Sequence, residues 1–172
     1  MDDAPRQRVT RLSGGWYMVE PMTRSMAELL YAGLDAEELD ELKAVDVGRM
    51  EFVDDCLTAD RSAAFFAGAT LVFGIAANWV PCPGAMGGVR LWDTMSTRAV
   101  REQGLVRSFV VHTPEMRDAF MLGEPTDEVV GVVKSDFARS RKWIERCAKF
   151  KERGETEFNG VKHTIYTYRE EA

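Results

Sequence analysis

The chain has 172 residues, 45% of them hydrophobic and 29% charged, which suits one self-folding domain and is too apolar for disorder over most of its length. Its net charge of −6 at pH 7 sets the molecule against a phosphate backbone and excludes general nucleic-acid binding. Cys56, Cys82 and Cys147 lack C-x-x-C spacing, which argues against a disulfide framework or zinc site, and no run approaches the ~20 apolar residues of a membrane helix.

Residues 1–14 carry few large apolar side chains and read as an arm, with Arg6, Arg8 and Arg11 free to grip a partner. The opening Met1-Asp2-Asp3 lacks the basic start and apolar run of a secretion signal, so a soluble protein used inside a cell or packed in a particle is expected. Trp16–Val19 reads as a first strand, ended by Pro21. Ser25–Leu34 has helical spacing, Asp35 can cap a second helix carrying Leu39 and Leu42, and Gly48 precedes a third with Met50, Val53 and Leu57. Ala63–Ala67 and Thr70–Ala76 flank Gly68 as a hairpin.

A loop from Pro81 to Gly88 leads to a strand over Val89–Trp92. Asp93–Thr97 then leads into a helix through Val100, Leu105, Phe109 and Val110. Thr113-Pro114-Glu115 reads as a restart, with Thr113 as N-cap of a second short helix to about Leu122. Val129–Val133 is a short buried-type strand. It feeds an Arg/Lys-rich helix ending at Phe150, and a turn and an alternating strand, His163–Arg169, close the chain.

The order is β, α, α, β, β, β, α, β, α, β, an α/β (α+β) domain with a mixed central sheet flanked by helices. Its boundaries are 1–14 for the arm and 15–172 for the domain. Charge is uneven. Residues 28–60 carry eleven acids against Lys43 and Arg49, whereas residues 134–153 carry eight bases against Asp136, Glu145 and Glu152. These runs read as solvated helix faces, or as surfaces for a charged partner or anionic cofactor.

The run Ser140-Arg-Lys-Trp143-Ile144-Glu-Arg-Cys147-Ala148-Lys-Phe150 resembles the tail helix of GNAT-like (acetyltransferase-fold) proteins of tailed phages. Phe73-Gly74 and Leu91-Trp92-Asp93-Thr94 resemble their third and fourth strands. The resemblance spans roughly residues 63–168 and includes the internal virion protein family of short-tailed phages. It implies a GNAT fold, with acetyl-CoA lying between the strands Val89–Trp92 and Val129–Val133. In that family a Q/R-x-x-G-x-G/A loop holds the pyrophosphate on backbone amides, glycine letting the phosphate approach and the helix dipole adding attraction.

Here the matching run is Arg101-Glu102-Gln103-Gly104-Leu105-Val106, with branched Val106 at the second small position and Gly104 expected inside a helix. Ser96, Thr97, Arg98, Arg101 and Gly104 are the residues the resemblance implies would touch the cofactor. Asp93 is the one carboxylate placed for catalysis, though equally a turn or cap residue. His112 reads as a surface or capping histidine and His163 as exposed. The Ser140–Phe150 helix has no tyrosine to protonate a leaving thiolate.

The first expectation is therefore a non-catalytic binding component, virion- or ejection-associated, without a cofactor, with a phage or host protein as partner and neither nucleic acid nor membrane. An acetyl-CoA-dependent N-acetyltransferase acting on a small-molecule or protein amine is the alternative, and a modifier of a host protein is a third. An open cleft between the two strands favours the enzyme. A gap filled by Trp92 and Trp143 favours the scaffold.

Overall fold

The computed structural model describes residues 6–82 and 87–170. The first five residues of the expected arm and residues 83–86 of the expected loop lie outside the described residues. The elements are β1 (Arg8–Arg11), β2 (Trp16–Glu20), α1 (Arg24–Gly33), α2 (Ala36–Ala44), α3 (Arg49–Thr58), β3 (Arg61–Ala67), β4 (Thr70–Val80) and β5 (Val89–Ser96). There follow α4 (Ala99–Glu102), α5 (Val106–Met121), β6 (Glu128–Lys134), α6 (Ala138–Arg146), β7 (Lys151–Phe158) and β8 (Val161–Arg169). One sheet holds the strands in the order β1-β2-β3-β4-β5-β6-β8-β7. Every pairing is antiparallel except β5 with β6. This is the expected mixed sheet flanked by helices.

Helices cover both faces. Thr23 caps α1 by accepting from the Met26 amide, and Asp35 caps α2 by accepting from that of Glu37. Leu30, Leu34, Phe52, Val53 and Cys56 bury the α1 and α3 side against Ala64, Ala76 and Met95. The approach is close: a Cβ on Gly74 of β4 would run into Leu30. On the opposite face, Phe109, Met116 and Phe120 of α5 and Ile144 of α6 pack on Phe65, Phe73, Trp92 and Val129. Gly131 of β6 leaves room there for Ile144.

That second face also encloses an ion network. Glu124, with no exposed side-chain surface, accepts from Arg90 at 2.7 Å and from the Trp92 indole at 3.0 Å. Arg61 pairs with Glu124 and forks onto Glu20. Burial pushes Glu20 up, but Arg61 and Arg8 outweigh it and hold its carboxyl below the usual range.

Four elements differ from the sequence reading. Arg8–Arg11, inside the expected arm, pairs with β2 as an edge strand. Lys151–Phe158, read only as a turn, is the edge strand β7. It reverses into β8 at Asn159–Gly160, where both residues have positive φ. Thr113 is not a cap. α5 runs through Thr113-Pro114 because Phe109, Thr113, Met116 and Phe120 share one buried face, and the Thr113 hydroxyl donates back to the Phe109 carbonyl at 2.8 Å. The break falls instead at Gly104, whose φ of 67° ends α4 and lets α5 start two residues later. α6 stops at Arg146, and Lys149 at φ 64° turns the chain so that Phe150 can reach the core.

Candidate functional site: a cleft between two parting strands

β5 and β6 are in register only at Leu91 and Val130. Beyond that pair they part, because each is held elsewhere: β5 by β4, β6 by β8. The gap opens into a cavity of about 850 Å³, within the ~300–1,000 Å³ of small-molecule sites. Trp92 does not plug it; its ring packs on Phe120 and Phe150. Trp143 lies in the wall, stacked on Phe109 at 5.8 Å and donating to Thr113.

The two walls differ in charge. On one, α5 begins at Val106 with no side-chain cap on its first amides, so the positive end of the helix dipole is unopposed. Lys142 and Arg146 of α6 also line the cavity, as do Arg101 and Arg139, which are both paired with Asp35 at the start of α2. On the other wall stand Glu38 and Glu41 of α2, Asp55 of α3 and Asp93 of β5.

α2 is stitched across the opening. Glu38 accepts from the Ser96 amide and hydroxyl, both at 3.1 Å, and Glu41 accepts from the Lys134 amide at 3.2 Å. The Asp35 amide donates to the Ser96 carbonyl. Ser96 thus turns its backbone polar groups into the gap, and the two-residue period of a strand turns those of Thr94 the same way.

Burial and the charge of Glu41 push Glu38 up to about 8. Burial and the charge of Asp93 bring Glu41 to about 7, despite the Lys134 amide. Burial and then Asp55 raise Asp93 to about 6. Asp93 is exposed by surface area and lines the cavity, so it is reachable. Asp35 behaves oppositely. Burial pushes it up, but Arg139 at 2.8 Å and Arg101 hold it below the usual range.

Among the residues singled out from sequence, Asp93, Ser96 and Arg101 lie on the wall. Asp93 is a strand residue rather than a turn or cap, because β5 runs on to Ser96. Thr97 is buried with its hydroxyl on the Leu71 carbonyl at 3.0 Å, and Arg98 turns outward to the Ala32 carbonyl and Glu102. Gly104 forms the turn before α5, so the Arg101–Val106 run stands at a helix start and not inside one. Val106 is half-exposed and narrows the cleft without closing it.

His112 lies inside α5, stacked on Trp16 at 5.6 Å. His163, expected to be exposed, is 2% exposed because β8 is covered by β7 and the Phe158 ring; it borders the cleft. Glu38, Glu41, Asp55, Lys142 and Arg146 escaped the sequence reading as site residues. Their only signal was the opposed charge of the runs 28–60 and 134–153.

No group of three or more His, Cys, Asp or Glu side chains that could hold a metal occurs among the described residues, and no described helix is long and apolar enough to cross a membrane.

No protein-family model and no curated protein matches the sequence. Solved structures do match. A GNAT-family acetyltransferase of Streptococcus agalactiae aligns with a TM-score of 0.62 at 12% identity, over 95% of this chain and all (100%) of its own. RimL, a ribosomal L7/L12 alpha-N-protein acetyltransferase, gives 0.63 at 12%, covering 96% and 98%. An aminoglycoside N(6′)-acetyltransferase of Legionella pneumophila gives 0.59 at 14%, covering 92% and 94%. The parting of β5 and β6, the helices on both faces and these full-length superpositions together show that the chain has the GNAT fold.

Proposed function

We propose that the chain is an acyl-coenzyme A-dependent N-acyltransferase. The observation that carries this is the open cleft, lined by a helix start, by basic side chains and by carboxylates. The residues suit coenzyme A with two exceptions. The uncapped amides of α5, Lys142 and Arg146 suit a diphosphate and the inward-turned polar groups of Thr94 suit an amide-bearing arm, whereas branched Val106 crowds one of two positions that are small in the motif and Arg101 must leave Asp35 to reach a phosphate. When bound, the cofactor supplies an activated acyl thioester. Asp93, raised to about 6 by burial and Asp55, is ionised at neutral pH and takes a proton from the incoming ammonium.

Titration of the purified chain with acetyl-CoA is expected to give micromolar binding, weakened about tenfold by Arg101→Ala, roughly the loss of one charge-assisted contact. Absence of binding would overturn the reading.

A second reading keeps the non-catalytic protein-binding component, virion- or ejection-associated in a tailed phage. Val106 and the capture of Arg101 by Asp35 favour it. Mass spectrometry of purified particles finding the chain, with no acetyl-CoA affinity in titration, is its expected outcome.

A further inference from the structure

We infer that His163 is a recognition residue of the acceptor site, its Nε2 receiving a hydrogen bond from the far end of the incoming amine, and that the acceptor is a primary amine with an apolar, ring-sized body ending in a hydroxyl. This rests on the acyltransferase reading and names its substrate class.

His163 is 2% exposed and borders the cavity. Its Nδ1 lies 2.9 Å from the Val161 carbonyl, which can only accept, so Nδ1 carries the proton and Nε2 of the neutral ring carries the lone pair. Nε2 has no hydrogen-bond partner among the described residues. Wholly buried side-chain nitrogens and oxygens among those residues all have one, so Nε2 keeps accessible surface, and the open space beside it is the cavity. The Phe158 ring, edge-on at 5.2 Å, braces the imidazole from β7. An acceptor of fixed tautomer in an apolar wall disfavours any occupant that cannot donate to it.

Sheet geometry relates His163 to the reacting end. Leu91 pairs with Val130, and Lys134 with His163. Side chains alternate along each strand, so Leu91, Asp93, Val132 and His163 share one face of the sheet, the face opposite Trp92. β6 stands between Asp93 and His163, a separation of at least two strand spacings, ~10 Å. Half-buried Leu91 and Val132 floor the interval, with Leu42 and Val47 lining it from the α2 side and Phe158 at the rim. The occupant that fits gives up an amine proton to Asp93 at one end, donates to Nε2 at the other and lays a flat hydrocarbon between them. An apolar amine without the hydroxyl covers the floor and leaves Nε2 unsatisfied.

The test is calorimetric titration of the full chain with tyramine, phenethylamine and para-methoxyphenethylamine, with and without saturating coenzyme A. Tyramine is expected to bind about tenfold more tightly than the other two, the worth of one hydrogen bond. His163→Phe should abolish that preference with phenethylamine affinity unchanged, and His163→Gln, whose carbonyl oxygen accepts, should restore part of it. Because His163 is buried and a variant can fail to fold, the imidazole nitrogen NMR signals of the wild type give a second readout: the Nε2 signal of His163 moves with tyramine and not with phenethylamine. Equal affinity for the three amines, a tyramine preference that survives His163→Phe, an unmoved Nε2 signal, or no tyramine binding in either condition would overturn the inference. Acetyl-CoA binding without a tyramine preference leaves the acyltransferase reading standing. A His163-dependent tyramine preference without acetyl-CoA affinity supports the recognition site and removes the transferase.

Discussion

Two clusters of acids flank β5 on opposite faces, and they are solved differently. At Arg90 and Trp92, Glu124 is met by two guanidinium groups and an indole, with Glu20 and Asp60 completing the network. At Asp93, one residue further on and facing the other way, carboxylates gather on a cavity wall, and no side-chain ion pair closes on Asp93 itself among the described residues. The first cluster ties β2, β3 and β5 to the end of α5 and closes on itself. The second stays open to the cavity. Neutralised charge in the interior serves the fold, and charge on the cavity wall is left within reach of a ligand.

The sharpest way to break that distinction is to remove the partner each cluster has or awaits. Glu124→Ala takes the shared carboxylate from two buried guanidinium groups, leaving Arg61 on Glu20 and Arg90 on half-exposed Asp60, and is expected to cost about 3 kcal/mol, a fall in Tm of about 10 °C for a chain of this size. A Tm within ~2 °C of the wild type would make the network ornamental. Asp93→Asn should do the reverse, leaving thermal stability intact or slightly raised and acetyl-CoA affinity unchanged, while acyl transfer falls ~10²–10⁴-fold. Turnover that survives would remove Asp93 as the base.

The smallest effect is a pH slope. Glu38 binds its proton more tightly folded, at about 8, than at its ordinary 4.5, so the folded state holds the extra proton between those values. Stability must then fall as pH rises through that window. Glu38→Gln keeps an acceptor for Ser96 and removes the share of the slope due to Glu38, while Glu41 and Asp93, raised to about 7 and about 6, keep theirs. Its Tm should exceed wild type by about 2–4 °C at pH 8, the effect of ~1 kcal/mol, and match it near pH 4.5. A difference independent of pH counts against the assignment.

Much of the scaffold was legible because it is local. Caps at Asp35 and Gly48, helical spacing in α1 and α3, and the Gly68 hairpin are each written in a few adjacent residues. β7 was not legible from hydrophobic alternation, since KERGETEF lies on an exposed edge and presents charge on both faces; Asn159–Gly160 was the signal to heed. The α5 boundary was misplaced because Thr-Pro is a strong local start, overruled by a buried face that continues through it.

By itself the sequence determined the fold class, the hairpin-and-crossover order, the displaced small residue at Val106 and the two runs of opposite charge, all properties of neighbours along the chain. Only the tertiary structure decided that those runs face each other across a gap, that β5 and β6 part after one shared pair, and that Asp93 and Asp55, 38 positions apart, line one cavity. Such facts depend on strand order and on distances between residues remote in sequence. No local pattern encodes them.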